Sequence, residues 1–236
     1  MVPTTSGEAF AAANAAMVRG DDGASTVHVL LADCVALLGA KTAGVLVQVG
    51  EQGLEMLAAT SHQAAELELY QSQVHDGPCV EAIERATGIT VVGTQALEER
   101  WPSFGRAMSA AGLQTVHAEP MRWHRRVLGG VNLFWSSAHD LTDAEKGMAH
   151  AFADICTLAL MQSGIHDDSA AIPEQVRVAL QGRVVIERAK GVLAQLDGVE
   201  MDEAFARLVQ RSRETERPLA SVAQQMLDDV VGSRRT

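Results

Sequence analysis

Residues 174–196 read EQVRVALQGRVVIERAKGVLAQL and end at Asp197-Gly198. At about 100° per residue this is one long amphipathic helix. Val178, Val185, Ile186, Ala189, Val192, Leu193 and Leu196 share an arc of roughly 120°, and Arg183 and Lys190 lie one above the other on the opposite side. Arg177 and Arg188 form a second basic stripe, and Glu187 partly neutralises the set. Gly182 and Gly191 interrupt the helix, each costing about 1 kcal/mol relative to Ala. Gly182 falls inside the apolar arc, which implies close approach of another helix or of a bound partner, or packing against a bulky neighbour.

Downstream, Asp202 offers a cap for a second helix with Phe205, Leu208 and Val209, and Pro218 opens a third with Leu219, Val222, Ala223, Met226 and Leu227. Three helices in this span share only a small core, so contact with the preceding domain or with a second copy is expected.

Upstream, residues 163–172 lose all periodicity and read as a linker. Before them, Thr142-Asp-Ala-Glu145 is a capping box for a helix carrying Met148, Phe152, Ile155, Cys156 and Ala159, running to about Gln162. The region from residue 25 mixes strands with short helices. Ser25 or Thr26 caps a helix with Val27, Leu30, Leu31, Cys34, Leu37 and Leu38, stopped by Gly39. Residues 43–49 and 54–59 form a hairpin, 89–92 a strand, and 114–121 and 127–135 two strands joined by His124-Arg125-Arg126. Asp76-Gly77-Pro78 turns tightly into a short helix that begins at Cys79, and residues 103–111 form another. Glu8 to Val18 reads as a frayed helix in an N-terminal extension, residues 1–24.

The 236 residues carry a formal charge of −11. Residues 173–236 hold ten basic residues, Arg234 and Arg235 among them, and ten acidic ones, so the whole excess lies on residues 1–172. A net acidic chain lacks the basic footprint of a non-specific nucleic-acid binder. No apolar run approaches a membrane span and no secretory pattern opens the chain, which points to a cytoplasmic protein. Cys34, Cys79 and Cys156 are too scattered for a disulfide framework or a zinc site. His62, His75, His117 and His124 show no ligand spacing, so neither metal nor cofactor is expected.

Residues 179–193, with Asp202-Glu-Ala-Phe205-Ala-Arg-Leu and Arg217-Pro-Leu-Ala-Ser-Val-Ala-Gln, closely resemble the ANTAR domain, a three-helix RNA-binding module of bacterial antitermination regulators. Ala194 stands where the family usually has methionine, and Glu216 is a second mild departure. Residues 25–162 resemble a GAF domain. The series Asp76-Gly-Pro-Cys79, Arg100-Trp-Pro-Ser-Phe104, Glu119-Pro-Met and Leu128-Gly-Gly-Val-Asn-Leu133 is similar to GAF domains joined to ANTAR modules. The resemblance implies an α+β chain. Its first part is a GAF-like antiparallel sheet flanked by helices, with a sensing or dimerising role and an unidentified small-molecule or protein signal. Its second, residues 173–236, is an all-α ANTAR domain. It further implies a homodimer that binds paired RNA hairpin loops in a leader transcript and disfavours the terminator.

Arg183 and Lys190, then Arg188, Arg177 and Arg217, are the candidate RNA contacts, because guanidinium forks and an ammonium suit phosphates and unstacked bases. A solvated helix face is the alternative for each. Cys79 at a helix start is a candidate reactive thiol, with a structural thiol under the sheet as the other reading. Without a resolving cysteine nearby, methionine sulfoxide reductase chemistry is not expected, and no phosphate loop, zinc helix or nucleophile elbow marks another enzyme. Two rivals stay open: a DNA-binding helix-turn-helix at 202–229, whose last helix starts without charge, and a sensing or dimerising module without nucleic acid. The acidic first domain is expected to repel RNA until it is reoriented.

Overall fold

A computed structural model of the chain describes residues 3–50, 53–162 and 172–233. The expected linker at 163–172 falls outside these except for its last residue, and Arg234 and Arg235 lie outside them as well. In chain order the elements are α1 (Ser6–Arg19), α2 (Gly23–Leu38), β1 (Thr42–Val49), β2 (Gly53–Ala59), α3 (His62–Val74), α4 (Pro78–Arg85), β3 (Ile89–Val92), α5 (Thr94–Arg100), α6 (Pro102–Ala110), β4 (Thr115–Trp123), β5 (Arg126–Trp135), α7 (Asp143–Met161), α8 (Ile172–Asp197), α9 (Met201–Thr215) and α10 (Leu219–Ser233).

The strands form one antiparallel sheet in the order β2-β1-β5-β4-β3. Alternation along the strands sends Val45, Val47, Val131 and Leu133 to one face, against Leu30 and Leu31 of α2 and Phe152 and Cys156 of α7. The opposite face carries Val116, Ala118 and Phe134, which pack on Leu97 of α5, Phe104 and Met108 of α6, and Trp101 between the two helices. Helices on both faces of an antiparallel sheet give the α+β architecture. A third core joins Ile186 and Ala189 of α8, Phe205, Leu208 and Val209 of α9, and Leu219 and Ala223 of α10. Val29 and Ala32 of α2 pack against it, so the C-terminal helices rest on the first domain.

Several local expectations are revised. Asp22, not Ser25 or Thr26, caps α2: its Oδ1 accepts from the Ser25 N–H at 2.8 Å, and its Oδ2 takes the Ser25 hydroxyl at 2.6 Å. α1 is not frayed. Thr5 caps it, Gly20 closes it in the left-handed region at φ 79°, and Phe10 meets Phe152 edge-on at 4.9 Å between ring centroids. Glu200 rather than Asp202 occupies the N-cap of α9, and the Asp202 carboxylate instead accepts from the His62 N–H of α3 at 3.1 Å. The capping box at Thr142 and Glu145 forms as its sequence requires.

α3 and α5 are additional elements. α3 brings Glu68 and Gln71, both fully buried, under the sheet. Asn132 Nδ2 of β5 donates to both Glu68 carboxyl oxygens at 2.8 Å, and a methyl group added at Gly44 of β1 would collide with that carboxyl. Burial without a cation pushes the Glu68 pKa up to about 8.

Candidate nucleic-acid interface

α8 is turned on its axis relative to the face its periodicity suggests. Val176, Ala179, Ile186, Ala189 and Lys190 point inward, and the outer face carries Arg177, Val178, Gln181, Val184, Arg188, Gly191 and Gln195. Val178 and Leu196, expected inside, are 42% and 55% exposed. The helix has two successive sets of partners. Both halves meet α2; its first half also meets α7 and the β1–β2 hairpin, and its second half α9 and α10.

The candidate residues therefore separate. Lys190 is only 3% exposed, where it was expected to share an open stripe with Arg183. Its stem lies along the third core, its Nζ donates to Glu187 Oε1 at 3.0 Å, and it sits 5.3 Å from the centre of the Phe205 ring. Arg183 is half-buried and borders a cleft with Val49 and Glu55 of the β1–β2 hairpin. Arg177 is exposed and clamped by Glu174, with Nε and Nη2 donating at 2.8 and 2.5 Å. Arg188 and Arg217 are exposed and make no ion pair among the described residues, as is Arg211 on α9. Accordingly, the structure gathers Arg177 and Arg188 on the outer face of α8, and leaves Lys190 beneath it and Arg217 beyond α9.

The two glycines have different surroundings. A Cβ on Gly182 would stand 3.0 Å from the Ala24 Cβ and 3.2 Å from Asp22 Oδ1, so this glycine lets α8 cross the start of α2. At Gly191 an added Cβ would meet nothing within 4 Å. The cost of that glycine has no packing explanation, and it leaves bare backbone one turn from Arg188 on the outer face.

Sequence reasoning missed the contacts that hold the C-terminal helices on α2. His28, fully buried, donates from Nδ1 to the Ala24 carbonyl at 2.8 Å and faces Phe205 at 5.9 Å between centroids. Its Nε2 is 4.0 Å from Glu187 Oε1, and burial lowers its pKa to about 4, so the imidazole is neutral at pH 7. Asp33 of α2 pairs with Arg213 of α9. Burial is the larger influence on Asp33 and raises its pKa to about 6, against the lowering pull of the guanidinium. Ser25 Oγ accepts from the Ala220 N–H at 2.8 Å and so supplies a cap to α10 from another helix. No single residue type signals such contacts, since each depends on pairing segments nearly two hundred positions apart.

Cys79 does not have the environment of a reactive thiol. It is fully buried, and desolvation first, then the Glu68 carboxyl, holds its pKa well above the ordinary thiol value, which outweighs its place in the first turn of α4. Cys34 and Cys156 are buried in the first core. Among the described residues no group of three His, Cys, Asp or Glu side chains is arranged to hold a metal ion, and no helix is long and apolar enough to cross a membrane.

This geometry defines an α+β domain, an antiparallel sheet with helices on both faces, with a small three-helix domain seated on it. Solved structures with the same fold include the phycoerythrobilin-bound GAF domain from a cyanobacterial phytochrome, 12% identical, covering 69% of this chain and 97% of that one with a TM-score of 0.53. The phycocyanobilin-bound GAF domain from a cyanobacterial phytochrome is 11% identical and covers 70% of this chain and 100% of that one, with a TM-score of 0.52. At these identities the likeness is one of fold. Residues 174–227 match the family model of the ANTAR domain, and the chain has a GAF–ANTAR architecture. It thus joins a domain of GAF-like fold to a domain of an RNA-binding antitermination family. No curated protein matches the chain.

Proposed function

We propose that the protein is a transcription antitermination regulator that binds RNA hairpin loops through the outer face of α8, under control of its GAF-like domain. The ANTAR match over 174–227 is the observation that carries this reading. The outer face supports it: Arg188 and Arg177 supply guanidinium forks for phosphate and loop bases, and Gly191 admits a backbone to close range. Arg183 borders this face, Arg217 lies beyond α9, and Lys190, on the inward side of α8, becomes accessible only when α8 leaves α2. The seated arrangement is the low-affinity state, and a signal at the first domain shifts the population towards a released state, in which two copies engage two hairpin loops as a homodimer. The protein works in the cytoplasm in this reading, where nascent transcripts are.

Gel-shift titration of the full chain against a hairpin-loop RNA and a duplex DNA of equal length tests this. Loop-dependent RNA binding, strengthened when Gly182→Leu wedges α8 from Ala24, is expected. Equal affinity for the two nucleic acids, or no binding by either protein, overturns the reading.

A further inference from the structure

Where α1, α2 and the α9–α10 corner meet, they border a partly open cavity of about 530 Å³. That volume is in the range of small-molecule pockets, roughly 300–1,000 Å³. It lies on the α2 side of the sheet, away from the buried Glu68 and Cys79, and it is walled partly by the first domain and partly by the ANTAR helices.

The two ends of the cavity differ in chemistry. Along α1 the wall is Ala12, Ala13 and Ala16, continued by Val29 and Leu30 of α2. Interiors are otherwise packed to the density of organic crystals, so a wall of the smallest side chains leaves space where larger ones would have filled it. The other end carries Arg213 and Arg217. Arg213 has five N–H donors, and its one side-chain hydrogen bond among the described residues goes to Asp33. Arg217 makes no ion pair there. The acidic groups of the lining are mostly engaged: Asp33 with Arg213, Asp21 with Arg19 at 3.1 Å, and Glu8 with Thr4 through its carboxylate at 2.7 and 3.0 Å. Glu216 is the exception, exposed at the rim. The unused hydrogen-bonding capacity of the cavity is therefore mainly that of three guanidinium groups, Arg213 and Arg217 at the α9–α10 corner and Arg19 at the end of α1, whose one side-chain hydrogen bond among the described residues goes to Asp21.

We propose that this cavity is a binding site for an organic carboxylate with an apolar body, its carboxylate held by Arg213 and Arg217 and its body laid against the alanines of α1. Paired guanidinium forks match a carboxylate's geometry, and an acyl chain or aromatic ring removes the apolar wall from water. The occupant touches both domains, so it acts as a bridge between them. This inference is independent of the RNA reading, because the site and its test involve no nucleic acid.

The test is fluorescence titration of the full chain with 1-anilinonaphthalene-8-sulfonate, an aromatic anion, followed by displacement with decanoate and with decylamine, both below micelle-forming concentration. Saturable binding of the dye, displaced by decanoate and not by decylamine, is expected. Ala16→Trp, which fills the chamber, should abolish displaceable binding. Arg217→Gln, which leaves the Asp33–Arg213 pair intact, should weaken decanoate about tenfold, with thermal melting of both variants close to wild type. No saturable dye binding, equal displacement by the amine, or titrations unchanged in both variants overturns the proposal. If either variant melts early, Ala12→Trp, which enters the same chamber from an exposed position of α1, gives the reading in its place.

Discussion

Glu68→Gln tests the buried polar centre of the first domain directly. Among the described residues the Glu68 carboxyl has no cation near it, and its pKa rises from 4.5 to about 8 through burial, opposed by the hydrogen bonds from Asn132. The native state therefore holds a proton that the unfolded chain has released between these two values. Stability from this group is complete below about pH 4.5 and is lost as pH rises towards 8. Over that window about 1.4 kcal/mol per pH unit accumulates to a ceiling of about 5 kcal/mol, and structural relaxation around the ionised group reduces it to roughly 2–3 kcal/mol. Glutamine copies the neutral acid in shape. Its amide also offers a donor to Asn132 Oδ1, which is buried without a hydrogen-bond partner among the described residues. Urea unfolding of wild type and variant from pH 5 to pH 9 should give curves that coincide at the acid end and separate in favour of the variant by about 2 kcal/mol or more at the alkaline end. A difference that stays flat across the range, or a variant weaker at pH 9, would refute the assignment of a neutral Glu68.

Arg188→Ala should weaken hairpin-loop binding about tenfold in gel shifts while leaving thermal melting unchanged, since the side chain is exposed and unpaired. Gly191→Leu should weaken the same binding by covering the bare backbone, and because no neighbour is close, it should raise rather than lower helix stability, by about 1 kcal/mol in urea unfolding. Amine-reactive labelling read by mass spectrometry should modify Lys190 slowly in the wild type and several-fold faster in Gly182→Leu. Thr142→Ala removes half of the capping box and should cost about 1 kcal/mol, seen as a melting point lower by about 2–4 °C.

The strands and the capping box were legible because period-two alternation and a Thr-x-x-Glu spacing are local signals, and the antiparallel sheet follows from them. α3 was not legible, because the side chains it turns inward include Glu68 and Gln71, so no apolar stripe marks it. α5 is seven residues long and ends against Trp101-Pro102, too short for a periodic pattern. The existence of α8 was plain in the sequence, but its orientation was not. A helix with one partner shows one stripe, whereas α8 changes partners along its length, and the aliphatic stem of Lys190 is used there as core. Arg188 was already legible as part of a stripe outside the apolar arc, whereas the burial of Lys190 could be read only after that rotation was known. The position of Gly182 in the apolar arc left a helix crossing as one of three readings, and it did not say which helix would be crossed.

Two of the contacts that seat the ANTAR helices are helix caps lent across the boundary: Ser25 closes the first turn of α10, and Asp202 closes the first turn of α3. A cap supplied from outside is easily replaced by solvent, since both amides lie in first turns where water can take over the bond. Parting the two domains therefore strands no polar group in a dry interior at these points, and the resistance comes from the apolar patch around Val29, Ala32 and Phe205 and from the Asp33–Arg213 pair. If the proposed release occurs, an interface assembled in this way would let the two halves part without either having to unfold.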